Sequence, residues 1–219
     1  MSLLKSSIGK KILMGLTGLF LCSFLVVHLS GNFQLLKSDN GLQFNIYTKF
    51  MTTNGLIRFL EIGLLLGFLI HIADGIRLTL ENRKARPIGY ELNKPAGKST
   101  PASRNMGLTG AVIFIFLVIH LKNFWYEFHW GEIGLDANGN KDMYAVTLDA
   151  FHNVWYILLY LVALYLLAFH LNHGFQSAFQ SLGINHKTLS PVINKVGIGF
   201  SILISLGFAV FPVYFYFFK

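Results

Sequence analysis

Long stretches without a charged side chain divide this chain into candidate membrane spans. No Lys, Arg, Asp or Glu lies between Lys11 and Lys37, between Arg104 and Lys122, between Asp149 and Lys187, or between Lys195 and Lys219. A fifth apolar stretch, about residues 56–80, carries its charges near its two ends, where long side chains reach the headgroups. A span needs roughly 20 mostly apolar residues. The pattern predicts an all-α integral membrane protein with one domain, residues 1–219, and five helices at about 11–36, 55–82, 105–128, 150–181 and 193–218.

The composition supports this prediction and narrows the chemistry. Hydrophobic residues make up 53% of the chain and charged residues 13%, which is unlike an ordinary soluble domain. Cys22 is the only cysteine, so structural disulfides, cysteine-ligated iron–sulfur clusters and covalently attached haem are excluded within this chain. Nothing in the composition indicates a nucleic-acid partner; membrane lipid is the expected surrounding.

The charged residues between the helices predict an orientation. Most of the 18 Lys and Arg residues lie on one side of the membrane if the N terminus is cytoplasmic, and most of the 10 acidic residues lie on the other. Basic loops stay in the cytoplasm. We therefore expect the bacterial cytoplasmic membrane, with the N terminus inside and the C terminus outside. The basic loop 83–104 is either a docking surface for soluble partners or only a determinant of topology.

Each of the first four predicted helices carries one histidine in its apolar stretch. They are His28, His71, His120 and His170. Ionisable side chains are expensive inside a membrane unless they are paired or liganded, so four of them indicate function. With a rise of 1.5 Å per residue and alternating helix directions, His28 and His120 fall in the outer half of the bilayer (the outer pair). His71 and His170 fall in the inner half (the inner pair). Two pairs of imidazoles predict two noncovalent haems with these histidines as axial ligands.

Small residues accompany two of these histidines. Gly63, Gly67, His71 and Gly75 recur every fourth residue, and Gly174 follows His170 by four. This spacing keeps each set on one helical face and leaves either a groove for a flat cofactor or a surface for close helix packing. The histidine within the stripe favours the groove.

The other histidines and some polar residues have weaker assignments. His173 is an alternative ligand to His170, but only His170 has the glycine four residues later. Histidines 129, 152 and 186 are expected near the interfaces or in a loop. Arg77 is a candidate partner for a haem propionate, although a headgroup anchor explains it equally well. Arg58 and Glu61 are candidates for a quinone site, although a local ion pair explains them without a ligand.

Three segments add a resemblance to a known family. Residues 6–11 (SSIGKK), 28–32 (HLSGN) and 71–77 (HIADGIR) are similar to motifs of the five-helix di-haem cytochrome b anchor of succinate:quinone oxidoreductases. That family comprises succinate dehydrogenase, or respiratory complex II, and fumarate reductase. The order of one histidine in each of four helices, followed by a fifth helix without one, also resembles it.

The resemblance implies a subunit that has no succinate chemistry of its own. It would hold two haem b groups and pass electrons between a cytoplasmic iron–sulfur subunit and membrane quinone, with menaquinone expected, while a flavoprotein subunit interconverts succinate and fumarate. His71 and His170 would ligate the haem near the iron–sulfur subunit, and His28 and His120 the distal haem near the quinone. Two alternatives are a di-haem cytochrome b of a hydrogenase or formate dehydrogenase and a haem-free proton-coupled transporter.

Overall fold

The computed structural model describes residues 6–84 and 101–219, and these residues form helices without a β-strand. The helices are α1 (Ser7–Asn32), α2 (Leu42–Thr53), α3 (Gly55–Lys84), α4 (Pro101–Arg104), α5 (Met106–His120), α6 (Glu127–Trp130), α7 (Met143–His152), α8 (Val154–Ser181) and α9 (Leu189–Phe218). A 3₁₀ turn, Phe33–Leu36, follows α1, and a π-helical segment, Leu121–Tyr126, joins α5 to α6. The greater part of the basic loop 83–104 lies outside the described residues.

Five of the helical segments are long and apolar enough to cross a membrane. They are Ile8–Leu36, Gly55–Lys84, Met106–Trp130, Val154–Ser181 and Leu189–Phe218. The all-α prediction with five spans is therefore confirmed, and the chain is a multi-pass membrane protein.

Four of the spans surround a common axis. Helix α1 packs against α3 and α8, and α5 packs against the same two helices, so α1 faces α5 and α3 faces α8 diagonally. Helix α9 packs along α8 and also contacts α1. The bundle of four histidine-bearing helices with a fifth helix at its side is thus the predicted arrangement.

The structure differs from the prediction in the segments that connect the long helices. The predicted helix 150–181 is broken at Asn153, whose side-chain oxygen accepts hydrogen bonds from the backbone N–H groups of Trp155 and Tyr156 and so caps α8. Residues 150–152 belong instead to α7. Neither α7 nor α2 was predicted, because both are short amphipathic helices between the long apolar stretches.

A polar network joins α2 to the segment before α7. Asn45 is only 1% exposed, and its Nδ2 donates to Asp136 Oδ2 at 3.2 Å and to Asp142 Oδ1 at 3.0 Å. Its Oδ1 accepts the backbone N–H of Tyr144 at 3.0 Å. Three satisfied hydrogen bonds make this buried amide a specific tie between the two connections. We call this end of the bundle the α2/α7 side.

The opposite side of the bundle holds two ion pairs. Lys10 near the start of α1 meets Glu81 near the end of α3, with Nζ 3.0 Å from Oε1. Arg77 pairs with Asp74, one turn away on α3, and the Asp74 side chain is 7% exposed. The Lys10–Glu81 pair fixes the start of α1 to the end of α3 almost three helical turns from His71, and the Asp74–Arg77 pair lies between.

Apolar side chains fill the space between the helices and also cover the outside. Ile204 and Phe215 of α9 are 1% and 0% exposed and pack in one core with Phe151 and Tyr160. Outward-facing residues such as Phe59 of α3 are largely exposed, at 71% for that ring. In a bilayer this outer surface contacts lipid tails, so its exposure costs nothing there.

Candidate haem site

The outer pair faces across the centre of the bundle. The ring centroids of His28 on α1 and His120 on α5 are 5.8 Å apart, and the ring planes are at 82°. Each ring stacks on the phenylalanine one turn before it, Phe24 at 5.3 Å and Phe116 at 5.6 Å. The two imidazoles are therefore held by equivalent aromatic contacts on opposite helices.

The inner pair has the same arrangement on the other two helices. The ring centroids of His71 on α3 and His170 on α8 are 6.3 Å apart, and their planes are at 72°. It is His170, and not His173, whose ring faces His71. The predicted pairing of four histidines into two sets is therefore what the fold produces.

The donor set of each pair fits a haem. A metal held between two imidazole nitrogens at about 2.0–2.1 Å each separates the ring centroids by about 6 Å, as in both pairs. Among the described residues, no group of three or more His, Cys, Asp or Glu side chains could hold a metal ion. Two facing imidazoles would suit a haem, whose iron needs only two ligands from the protein.

Threonine hydroxyls hold the inner pair. Thr17 on α1 has its Oγ1 3.2 Å from Nδ1 of His71, and Thr109 on α5 has its Oγ1 3.4 Å from Nδ1 of His170. Each threonine comes from a different helix than the histidine it touches. The bond at Nδ1 leaves Nε2 as the free nitrogen of each imidazole.

A tyrosine holds one member of the outer pair. The phenol of Tyr160 on α8 is joined to Nδ1 of His120 by a hydrogen bond of 2.6 Å. Tyr160 is 7% exposed and packs edge-on against Phe116 and Phe151. His28 is enclosed differently, between the rings of Phe24 and Phe208. The two outer imidazoles therefore have unlike surroundings.

The distance between the inner pair and the outer pair along the bundle can be read from residue positions on α1. Thr17, which touches the inner pair, and His28, which belongs to the outer pair, are eleven residues apart on this helix. That separation is a rise of about 16 Å. Helix α5 repeats the spacing with Thr109 and His120.

The threonines were missed because sequence position alone does not reveal a contact between helices, but a signal was present. Residues 14–18 and 106–110 both read MGLTG, and residues 24–29 and 116–121 read FLVVHL and FLVIHL. Helices α1 and α5 therefore carry the same element at the same spacing and run in the same direction. Thr17 and Thr109 are equivalent positions in it, as are His28 and His120.

The glycine stripe divides between the two interpretations. A Cβ on Gly67 would lie 2.9 Å from Cε1 of Phe20, so this glycine serves close packing of α3 on α1. A Cβ on Gly63 or Gly174 would meet nothing within 4 Å. The glycines next to the inner rings are Gly18 on α1 and Gly110 on α5, where the sequence also predicts small helix faces.

A second polar cluster lies on the α2/α7 side. Arg58 forms an ion pair with Glu61, as one interpretation of the sequence predicted, and its Nη1 also lies 3.0 Å from Nε2 of His129. The Trp125 indole donates to Glu61 Oε1 at 2.6 Å, and Nδ1–H of His129 donates to the Trp125 carbonyl at 2.8 Å. Arg58 and His129 line an open cavity of about 340 Å³.

Arg77 is already occupied by a partner within the chain. Its guanidinium pairs with Asp74, while Asp74 Oδ2 and Arg77 Nε are buried without a hydrogen-bond partner among the described residues. A neighbouring carboxylate thus competes with any haem propionate for this arginine.

Comparisons with protein-family models, curated proteins and solved structures gave no match. The fold and the site of this chain are therefore interpreted from its own residues.

Proposed function

We propose that this chain is the di-haem cytochrome b membrane anchor of a succinate:quinone oxidoreductase. The observation that carries the proposal is the meeting of four histidines from four helices in two facing pairs, about 16 Å apart along the membrane normal. The assignment to the succinate dehydrogenase and fumarate reductase family rests in addition on the motifs at residues 6–11, 28–32 and 71–77.

In this proposal His28 with His120 and His71 with His170 would hold two haem b groups. Haem held between two imidazoles would supply one-electron transfer. The hydroxyls at Nδ1 of His71, His170 and His120 keep these rings in a fixed orientation, which limits the reorganisation that accompanies each electron.

The direction of the bundle follows the charge distribution. The side of the bundle with the start of α1 and the end of α3 is proposed to face the cytoplasm, because most basic residues lie there. An iron–sulfur subunit on that side would lie next to the inner pair, and the flavoprotein subunit would carry out the succinate chemistry. The α2/α7 side and the C terminus would face outwards.

The quinone is proposed to react on the α2/α7 side, near the outer pair. The cavity there has a suitable size for a ring with polar substituents. Arg58 and His129 place polar nitrogen atoms at its wall. We propose menaquinone as the substrate, on the resemblance to di-haem members of the family.

The test is succinate-dependent reduction of the haem in the complex purified with its flavoprotein and iron–sulfur subunits. Addition of succinate should reduce part of the haem absorbance, and menaquinone analogues should reoxidise it. The matched control is the complex with an inactivated flavoprotein, which should show dithionite reduction but no succinate reduction. A haem-containing complex that responds to hydrogen or formate and not to succinate would contradict the family assignment.

A further inference from the structure

We propose that Thr17 and Thr109 are positioning residues for the inner pair, which fix the tautomer of His71 and His170 and set the potential of the metal they hold. The inference rests on the proposed function, since it concerns a haem between these two rings. It assigns to the two threonines a role of their own, distinct from the ligands.

The direction of the hydrogen bonds is determined by the threonines themselves. The Thr17 hydroxyl donates to the backbone carbonyls of Leu13 at 2.9 Å and Met14 at 3.2 Å, and the Thr109 hydroxyl donates to the carbonyl of Met106 at 3.1 Å. A hydroxyl has one proton, and here a helix carbonyl takes it. With its proton on the carbonyl the oxygen accepts from the imidazole, and in the proposed arrangement Nδ1 carries the proton and Nε2 is the unprotonated nitrogen.

The arrangement occurs twice in the chain with different neighbours. Thr17 on α1 reaches His71 on α3, and Thr109 on α5 reaches His170 on α8. Both threonines belong to an MGLTG segment. The five residues that follow each segment differ, LFLCS at 19–23 and AVIFI at 111–115. A membrane threonine often bonds only a carbonyl of the preceding helical turn. Because both threonines also contact a histidine of the inner pair, we attribute the contact to the histidines.

The glycine after each threonine shapes the same contact. A Cβ on Gly18 would lie 3.4 Å from Cε1 of His71, and one on Gly110 would lie 3.6 Å from Cε1 of His170. A methyl group at either position would already be in van der Waals contact with the ring. In each helix the threonine thus provides a hydrogen-bond acceptor for Nδ1, and the glycine after it leaves room for Cε1 of the same imidazole.

A hydrogen bond donated from Nδ1 increases the basicity of Nε2 and favours the oxidised iron. Removing the acceptor should therefore raise the midpoint potential of the inner haem. The ratio of reduced to oxidised haem at a fixed potential should rise about two- to tenfold, because this is the order of effect that one hydrogen bond has. For a one-electron couple this is a shift of up to about 60 mV.

The experiment compares Thr17→Val and Thr109→Val with Thr17→Ser and Thr109→Ser in the purified complex. Valine keeps the branched shape without the hydroxyl, and serine keeps the hydroxyl. Thr79→Val is the matched control, because the Thr79 hydroxyl donates to the Gly75 carbonyl at 2.8 Å on the same side of the bundle. The readouts are haem content, potentiometric titration of each haem and the low-spin electron paramagnetic resonance signals, with His71→Ala used to identify the inner haem.

We expect the valine variants to shift the inner potential upwards and leave the outer potential unchanged, while the serine variants and Thr79→Val match the unmodified protein. Loss of the inner haem alone in the valine variants, with recovery in the serine variants, supports the same role. Unchanged inner potential and signal in both valine variants, with two haems bound, would overturn it. Equal haem loss in the valine and serine variants would also overturn it, because the hydroxyl would then be irrelevant. An unmodified complex without haem refutes instead the proposed function.

Discussion

His28 and His120 face each other across the bundle with ring centroids 5.8 Å apart, and only His120 has a tyrosine hydroxyl at its Nδ1. The two imidazoles of the outer pair are therefore equivalent in position but unlike in their surroundings. This difference allows the surroundings of the outer pair to be changed by substitution without altering either histidine.

Tyr160→Phe should change the outer level alone. The substitution removes the hydroxyl 2.6 Å from His120 Nδ1 and leaves that nitrogen without its partner, at a cost of about 1–3 kcal/mol in a buried site. We expect a measurable shift in the outer haem potential and a lower thermal unfolding temperature. Tyr165→Phe is the control, since Tyr165 lies on the same helix and is 65% exposed. A shift of the inner potential, or equal effects in both variants, would contradict the assignment.

Arg77→Leu should act first on stability. The substitution leaves the Asp74 carboxylate, 7% exposed, without its cation, and because Arg77 is itself partly exposed we expect a loss of about 2–3 kcal/mol. Asp74→Asn combined with Arg77→Leu should recover most of that loss, as a thermal unfolding series would show. If the single variant lost haem or shifted a haem potential at unchanged stability, Arg77 would be a propionate partner instead.

Arg58→Leu and Glu61→Gln should impair the reaction with quinone without removing haem. Loss of a hydrogen bond involving a charged group changes affinity or rate by roughly tenfold or more, so quinone-dependent turnover should fall by about that factor. The succinate-dependent reduction of haem should remain. Glu127→Gln is the control, because Glu127 forms an ion pair with Lys122 on the same side of the membrane. Turnover equal to the control would place the quinone elsewhere.

Asp136, in the connection between α6 and α7, should make the stability of the folded protein decrease at acid pH. The backbone N–H of Asn140, followed by smaller contributions from its side chain, Asn138 and Asn45, holds the pKa of Asp136 below its ordinary value. A carboxyl with a lowered folded pKa stabilises above its unfolded pKa, about 3.9, and that stability is lost as the pH falls through the folded pKa.

Asp136→Asn should therefore reduce the fall in unfolding temperature between about pH 5 and pH 3. Asp149→Asn is the control, since Asp149 is an exposed acid on α7. An identical pH dependence in Asp136→Asn and the unmodified protein would contradict this role.

The long helices and the four histidines could be predicted because charge-free stretches and helix direction determine depth. The number of residues between each histidine and the end of its helix, with the opposite directions of α1 and α3, predicts His28 in one half of the bilayer and His71 in the other. The glycine four residues later favoured His170 over His173, and in the structure it is the ring of His170 that faces His71.

The partners of these histidines could not be predicted in the same way. Thr17 and His71 are 54 residues apart, and Tyr160 and His120 are on different helices, so only the packing of the bundle brings them together. The repeated MGLTG element indicated that Thr17 and Thr109 would make equivalent contacts. Which residues they contact depends on which helices are neighbours, and the sequence does not give this. The break at Asn153 was missed because an apolar stretch continues through it, and a single capping side chain ends one helix and begins the next.

The most direct test of the account is the haem content of the complex, measured by pyridine haemochrome and by reduced-minus-oxidised visible spectra in the unmodified protein, in His28→Ala and in His71→Ala. His173→Ala is the matched control, as a histidine on α8 that does not face His71. We expect two noncovalent low-spin haems per chain, loss of a different one in each of the first two variants, and no loss in the control. An unmodified complex that contains no stoichiometric haem, despite adequate haem supply during expression with its partners, would contradict the account and favour a haem-free transporter.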